Sequence, residues 1–382
     1  MNKKIIFRNF KKNIVTFLFI FLVIAGKIVR YTVMKETLVD PGIGHSMITI
    51  INNQETSFGL SLGTNLDEAA SASDNAVHIF NLINFLGLDT YEEFEIFITI
   101  IWNSILILLL INIKNVLTTS QTIFILSSIS VLNIFDFCLA KEPIQMLYFI
   151  LMYIILISNI KSSKIKYILC FLVFLFSAIT FRIYYIIIAM FMIVVTVIFE
   201  KYILKLEKVN KKNIVLILIG ICLFYFIFLN ISKYVATAEY NELIRVRLRT
   251  SIAASDMRSL FNSENLLIFS IDYMIMILRM LFPIELIKLG PKYLPYVLYQ
   301  LIISFMVIKV TLNYKEISDI RRISLYIYFA FLLGSATFEP DFGSWIRHEA
   351  VLFPILLILM DINKHNDSNK DKENVRKNLM AS

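Results

Sequence analysis

The stretch from Ile214 to Ile231 reads IVLILIGICLFYFIFLNI, eighteen residues without one charged side chain. A run of this length matches the roughly 20 apolar residues that an α-helix needs to cross the ~30 Å hydrocarbon layer of a bilayer. Nine further runs of this character lie near 14–34, 94–112, 121–139, 143–160, 167–181, 183–199, 293–312, 323–338 and 346–362. Of the 382 residues, 58% are hydrophobic and 17% charged, against about a quarter charged in an ordinary soluble domain. The expected fold is therefore an all-α polytopic integral membrane protein of about ten transmembrane helices. Residues 1–13 are expected to form a cytoplasmic segment, 14–362 a single membrane domain and 363–382 a cytoplasmic polar tail. The first run lacks a small-x-small cleavage site before Lys27, so it is expected to remain as an anchor.

Orientation follows from where basic residues collect. They cluster at Lys3, Lys4, Arg8, Lys11 and Lys12; at Lys161, Lys164 and Lys166; at Lys201, Lys205, Lys208, Lys211 and Lys212; at Lys315, Arg321 and Arg322; and from Lys364 to Lys377. Placing these clusters inside makes both termini cytoplasmic and leaves two large outer loops, about 36–93 and 232–292. The first outer loop carries Asp40, Glu55, Asp67, Glu68, Asp74 and Asp89 and no Lys or Arg. It is expected to contact sugars rather than form a separate domain. The run from Tyr167 to Phe199 would be roughly 50 Å long as one helix, and one span would put the flanking lysines on opposite sides. Two short spans meeting near Arg182 keep both clusters inside. For the same reason Leu266 to Phe282 is expected to be an interfacial or re-entrant outer helix stopped by Pro283, with Asp272 and Arg279 on one face.

Composition also excludes several classes. With 10 Gly the chain has no phosphate-cradling loop, and it contains no CxxC, HExxH or GxxxxGK(S/T). Cys138, Cys170 and Cys222 all lie in apolar runs and define no disulfide framework. His45, His78 and His365 have no metal-ligand spacing, so neither metal nor cofactor is expected. The net charge of +8 is carried largely by loops facing anionic lipid, and no motif points to nucleic acid.

On this map a few basic residues stand at the outer face, against the charge rule: Lys141, Arg182 and Arg347, with Arg245, Arg247, Arg249 and Arg258 in the second outer loop. Lys141, Arg182 and Arg347 are each expected at the start of an inward-running helix, the end that already carries the positive dipole. Helix stability does not account for them, whereas an anion site does. Arginine suits phosphate because its charge is permanent and its planar fork matches the oxygens. Glu142 and His348 adjoin these cations and are the candidate bases; Asp136 is a buried-acid candidate. Plainer accounts stand beside these readings. Lys141 can snorkel to headgroups, Glu142 can be a helix-start carboxylate, and His348 can be an interfacial imidazole. Arg245 and Arg249 lie one turn apart beside the apolar Ile244, Leu248 and Ile252, the pattern of an amphipathic helix on anionic lipid.

Leu139-Ala140-Lys141-Glu142-Pro143, Phe181-Arg182-Ile183-Tyr184 and Gly343-Ser344-Trp345-Ile346-Arg347-His348, in this order and topological placement, resemble the Wzy-type polymerases of capsule and O-antigen repeat units. The resemblance covers roughly residues 90 to 360. Many relatives show Arg-Pro-Tyr and Arg-His-Arg or Arg-His-Lys, where this chain has Arg182-Ile183-Tyr184 and Arg347-His348-Glu349. It implies transfer of a growing glycan from one polyprenyl diphosphate to a hydroxyl of another lipid-linked repeat unit. Lys141, Arg182 and Arg347 would bind the diphosphates, Glu142 or His348 would serve as base, with slight preference for Glu142, and Arg245, Arg247 and Arg249 would guide lipid phosphate or glycan. The implied partners are polyprenyl-diphosphate-linked oligosaccharides, membrane lipid, and a chain-length regulator and flippase of the same pathway. Two other readings stay open. A polyprenyl-phosphate-sugar transferase would rely on outer-loop acids such as Asp40 or Asp67-Glu68. A lipid-linked oligosaccharide flippase or transporter needs a charged path reaching the inner side, where the helices carry almost no charge besides Lys309.

Overall fold

The described part of each of the ten apolar runs is largely helical in the computed structural model, which describes residues 3–32, 70–111, 117–182, 184–203, 211–235, 255–257, 259–261, 265–339 and 341–360. In chain order the helices are α1 (Lys3–Thr32), α2 (Ala70–Ile83), α3 (Tyr91–Ile111), α4 (Thr119–Val131), α5 (Lys141–Ile157), α6 (Ser163–Thr180), α7 (Tyr185–Ile198), α8 (Lys211–Val235), α9 (Leu266–Leu281), α10 (Leu294–Leu312), α11 (Asp319–Phe338), α12 (Phe342–Ala350) and α13 (Phe353–Leu359). Short π-helical turns, Leu132–Asp136 and Phe199–Ile203, extend α4 and α7. Among the described residues there is no strand.

Three of these helical segments are long and apolar enough to cross a membrane: Tyr91–Ile111, Ser163–Thr180 and Pro291–Leu312. The bent pair α12 and α13 makes a fourth if it is one span. Helix α3 shows why lipid suits them. It buries Phe94, Ile98, Trp102 and Leu106 and exposes Ile96, Ile100, Leu108 and Ile111. A helix that is apolar on its outward face as well needs an apolar surrounding. The described residues thus form a helical protein with three helices, or four with the bent pair, long and apolar enough to cross a membrane.

The core is organised on α11, whose residues from Ser324 to Ile327 and from Ala330 to Thr337 are buried. Helix α7 packs along it, and Gly334 permits the approach, because a Cβ there would collide with Ile188 Cγ1. Helix α13 is buried on every side, between α5 and α11.

The run from Tyr167 to Phe199 divides as expected, into α6 and α7, without Gly or Pro. The N–H groups of Phe181 and Arg182 both donate to the Ser177 carbonyl, at 2.9 and 3.0 Å, and end α6 there. The α-helical part of α7 is roughly 21 Å long, and the π-helical turn Phe199–Ile203 carries the rod further.

One expectation about the helices is corrected. The run 346–362 is not one helix: α12 and α13 meet at 67°. Pro354 lacks the N–H that would bond the Ala350 carbonyl, and its ring crowds that carbonyl. Within the stretch 36–93, α2 packs on α5. Helix α9 packs against α8 and α11. Its Tyr273 stacks on Tyr225 at 3.6 Å and donates to the Leu333 carbonyl at 2.7 Å. Asp272 and Arg279 are held by different groups, the Leu260 N–H at 3.0 Å and Glu285 at 2.6 Å. As expected, α9 ends at Leu281, just before Pro283.

Candidate active site

Lys141 and Glu142 occupy the first turn of α5, which starts after an extended Ala140 that offers no side-chain cap. The free N–H groups of that turn leave its end positive. Arg182 lies in the turn between α6 and α7. Its guanidinium sits 5.4 Å from the ring centroids of both Phe181 and Tyr184, and Nη1 donates to Tyr184 Oη at 2.9 Å. Tyr184 stacks in turn on Phe338, the last residue of α11, at 5.0 Å. Asn75 of α2 donates to the Phe181 carbonyl at 3.3 Å, tying α2 to this turn.

Arg347 and His348 depart from expectation. They lie in the last turn of α12, not at the start of a helix. That short helix begins at Asp341, whose carboxylate accepts from the Ser344 N–H and hydroxyl, both at 2.9 Å. Arg347 is therefore at a negative helix end, where a cation is favoured. Two positive helix ends face the cluster, those of α5 and α7, and not three.

The five residues Lys141, Glu142, Arg182, Arg347 and His348 converge. Glu142 Oε1 is 3.9 Å from Arg347 Nη1 and 3.6 Å from His348 Nε2. Lys141 lies within electrostatic reach of Arg182, Glu142, Glu339 and Arg347. The cluster is layered. Lys141, Arg182 and Arg347 are half-buried and form a cationic rim, whereas the side chains of Glu142 and His348 are 1% and 3% exposed and form its floor.

Glu339, which the sequence reading left without a role, completes the floor. Its Oε1 lies 2.5 Å from His348 Nδ1. Burial pushes the Glu339 carboxyl up, but His348, Arg182 and Lys141 outweigh burial and hold it below the ordinary carboxylate value. Its signal in the sequence was weak, because an acid nine residues before a histidine has no helical or motif spacing to mark it.

Asp136 sits behind the floor in the π-helical turn after α4, fully buried and within reach of Glu142 and Arg347, with both carboxyl oxygens lacking a hydrogen bond among the described residues. A brace holds this turn. Lys27 and Arg30 of α1 pair with Glu95 of α3 at 3.1 and 2.8 Å; Lys27 also donates to the Phe137 carbonyl at 2.5 Å, and Arg30 to the Ile134 carbonyl at 2.8 Å. Asn103 and Asn133 exchange side-chain bonds at 2.9 and 3.0 Å. Sequence reading missed the brace, since its members lie far apart in the chain. Glu349, the acid that departs from the motif, has partners outside the site: it accepts from Gln300 at 3.1 Å and Tyr328 at 2.8 Å, on α10 and α11.

Arg245, Arg247, Arg249 and Arg258 lie outside the described residues, as do Asp40, Asp67 and Glu68. Among the described residues no group of three or more His, Cys, Asp or Glu side chains is placed to hold a metal ion. Compared with protein families, characterised proteins and solved structures, the chain matches none of them. Chemically, the rim suits a ligand with several anionic oxygens. The floor adds a proton-accepting pair beneath it.

Proposed function

We propose that this chain polymerises polyprenyl-diphosphate-linked oligosaccharide repeat units into a surface polysaccharide at the outer face of the cytoplasmic membrane. In this reading the ten apolar segments all span, with both termini cytoplasmic and the cationic rim outermost. The observation that carries it is the convergence of Lys141, Arg182 and Arg347, from three separate parts of the chain, above the buried Glu142 and His348. Lys141, Arg182 and Arg347 share the carboxylates Glu142, Glu339 and Asp341, and their half-buried side chains remain open to the anionic oxygens of a ligand.

In the reaction, an acceptor hydroxyl gives its proton to the floor while its oxygen attacks the anomeric carbon of the donor glycan. The anomeric carbon–oxygen bond to the diphosphate breaks, and its electron pair leaves on the diphosphate oxygen. Lys141, Arg182 and Arg347 face that developing charge, where one preorganised donor is typically worth about 10² to 10³ in rate. The floor adds about 10² to 10⁴ as general base. Membrane lipid is the second partner, and a flippase and a chain-length regulator would act before and beside the enzyme.

The test is glycan length. Purified protein is reconstituted with lipid-linked repeat units from its host, and wild type is compared with Arg182→Ala and Arg347→Ala on a glycan-stained gel. A wild-type ladder that both folded variants lose supports polymerisation. Glycans that stay at one repeat, with substrate and folding confirmed, overturn it.

A further inference from the structure

His348 lies between two carboxylates, and its two ring nitrogens are treated differently. Nδ1 is 2.5 Å from Glu339 Oε1, a hydrogen bond that requires one proton between them. Nε2 faces Glu142 Oε1 across 3.6 Å, too far for a hydrogen bond, and both of these atoms are buried without a hydrogen-bond partner among the described residues. Glu339 also has Arg182 and Lys141 nearby, cations that favour its ionised form, so the shared proton belongs on the ring. A neutral imidazole with its proton on Nδ1 has a bare lone pair on Nε2.

We infer that Glu339 is a positioning residue that fixes His348 as the Nδ1-protonated tautomer and aims a proton-accepting Nε2 at the gap before Glu142. This rests on the polymerase reading and sharpens it, because it makes His348 the base and gives Glu142 a different task. Both atoms are fully buried, so an oxygen about 2.8 Å from each has to enter by opening the 3.6 Å contact between them as substrate binds. An acceptor hydroxyl placed there gives its proton to Nε2 as its oxygen attacks the anomeric carbon, and the bond to the diphosphate breaks towards the cationic rim. The imidazolium so formed is flanked by Glu339 and Glu142, which stabilise it as the orienting acid of a catalytic triad does. The charged groups around the ring are Glu142 and Lys141 from α5, Glu339 after α11, Arg182 before α7, and its own neighbour Arg347.

The chain contains 4 histidines, so nitrogen NMR of histidine-labelled full-length protein resolves the ring directly. The His348 signals are those lost in His348→Asn. The inference expects wild type at neutral pH to show a protonated Nδ1 and a bare Nε2. Glu339→Ala should lose this preference and lower kcat by about 10²-fold or more, with a smaller change in the donor KM, and Glu339→Asp should recover part of the rate. A wild-type ring protonated on Nε2, or on both nitrogens, overturns the inference even if Glu339→Ala fails to fold. So does a folded Glu339→Ala that keeps the wild-type tautomer. A glycan ladder together with the wrong tautomer removes this inference alone. The expected tautomer with no ladder removes the polymerase reading and leaves the Glu339–His348 arrangement standing.

Discussion

Replacing Arg347 by Ala separates work on a ligand from support of the fold, because the structural ties of this side chain are weak. It is 34% exposed, its Nη1 is 3.9 Å from Glu142 Oε1, and its Nη2 reaches Ser344 Oγ at 3.4 Å. A long ion pair with one partner this exposed is worth about 0–1 kcal/mol. Glu142 keeps Lys141 beside it as a cation, so the change does not leave the buried carboxylate without one. The stability cost is therefore about 1 kcal/mol. One fixed donor facing a developing anionic charge is worth about 2.7–4 kcal/mol, or roughly 10² to 10³ in rate. Activity should thus fall far more than stability. The assay is the initial rate of glycan lengthening in reconstituted vesicles, with thermal unfolding measured on the same preparations. Arg347→Lys restores the charge without the planar fork and should recover only part of the rate. The reasoning is refuted if Arg347→Ala polymerises at the wild-type rate, or if its loss of rate is no larger than its loss of folded protein.

Further predictions test the scaffold beneath the site. Gly334→Ala forces a Cβ against Ile188 Cγ1, with Cδ1 at 3.3 Å and Cβ at 3.5 Å, and such overpacking costs about 1–3 kcal/mol. Adding Ile188→Ala removes the obstructing atoms, so the double variant should unfold at a higher temperature than additivity of the two single changes allows; strict additivity would contradict the contact. Glu95→Ala leaves Lys27 and Arg30 buried without their carboxylate, a loss of about 3–5 kcal/mol that thermal unfolding will detect. Glu339 has a pH signature of defined sign. Its folded value lies below the ordinary 4.5, so its contribution is complete above that pH and disappears as pH falls through the lower folded value. The stability gap between wild type and Glu339→Gln should therefore be constant from neutral pH down to about 4.5 and close only below it. A gap that closes above pH 6 would contradict this assignment.

Much of the architecture was legible in local patterns. Helix-forming apolar runs need only their own residues, since backbone groups in lipid must pair within the segment, and the described part of each of the ten runs is largely helical, the last one in two pieces. The break at Arg182 was readable because basic clusters on both sides of the run asked for a hairpin. The break before Pro354 was also written in the chain, as a proline inside an apolar run, but its weight was underestimated, and with it the helix end on which Arg347 sits.

The cationic rim was legible for another reason. A positive residue expected at an outer membrane face breaks a compositional rule, so Lys141, Arg182 and Arg347 could be singled out one at a time. Partners leave no such trace. Glu339 against His348, and Glu95 against Lys27 and Arg30, are contacts between helices brought together by packing, and spacing along the chain does not record them. The same holds for Glu349, an acid beside the site in sequence whose bonds turn to Gln300 and Tyr328. By itself the sequence determined where the helices are and which cations stand out, because solvation by lipid acts on each segment separately. Only the tertiary structure decided which acid meets which base, because that depends on how α5, α11 and α12 are rotated and packed against one another.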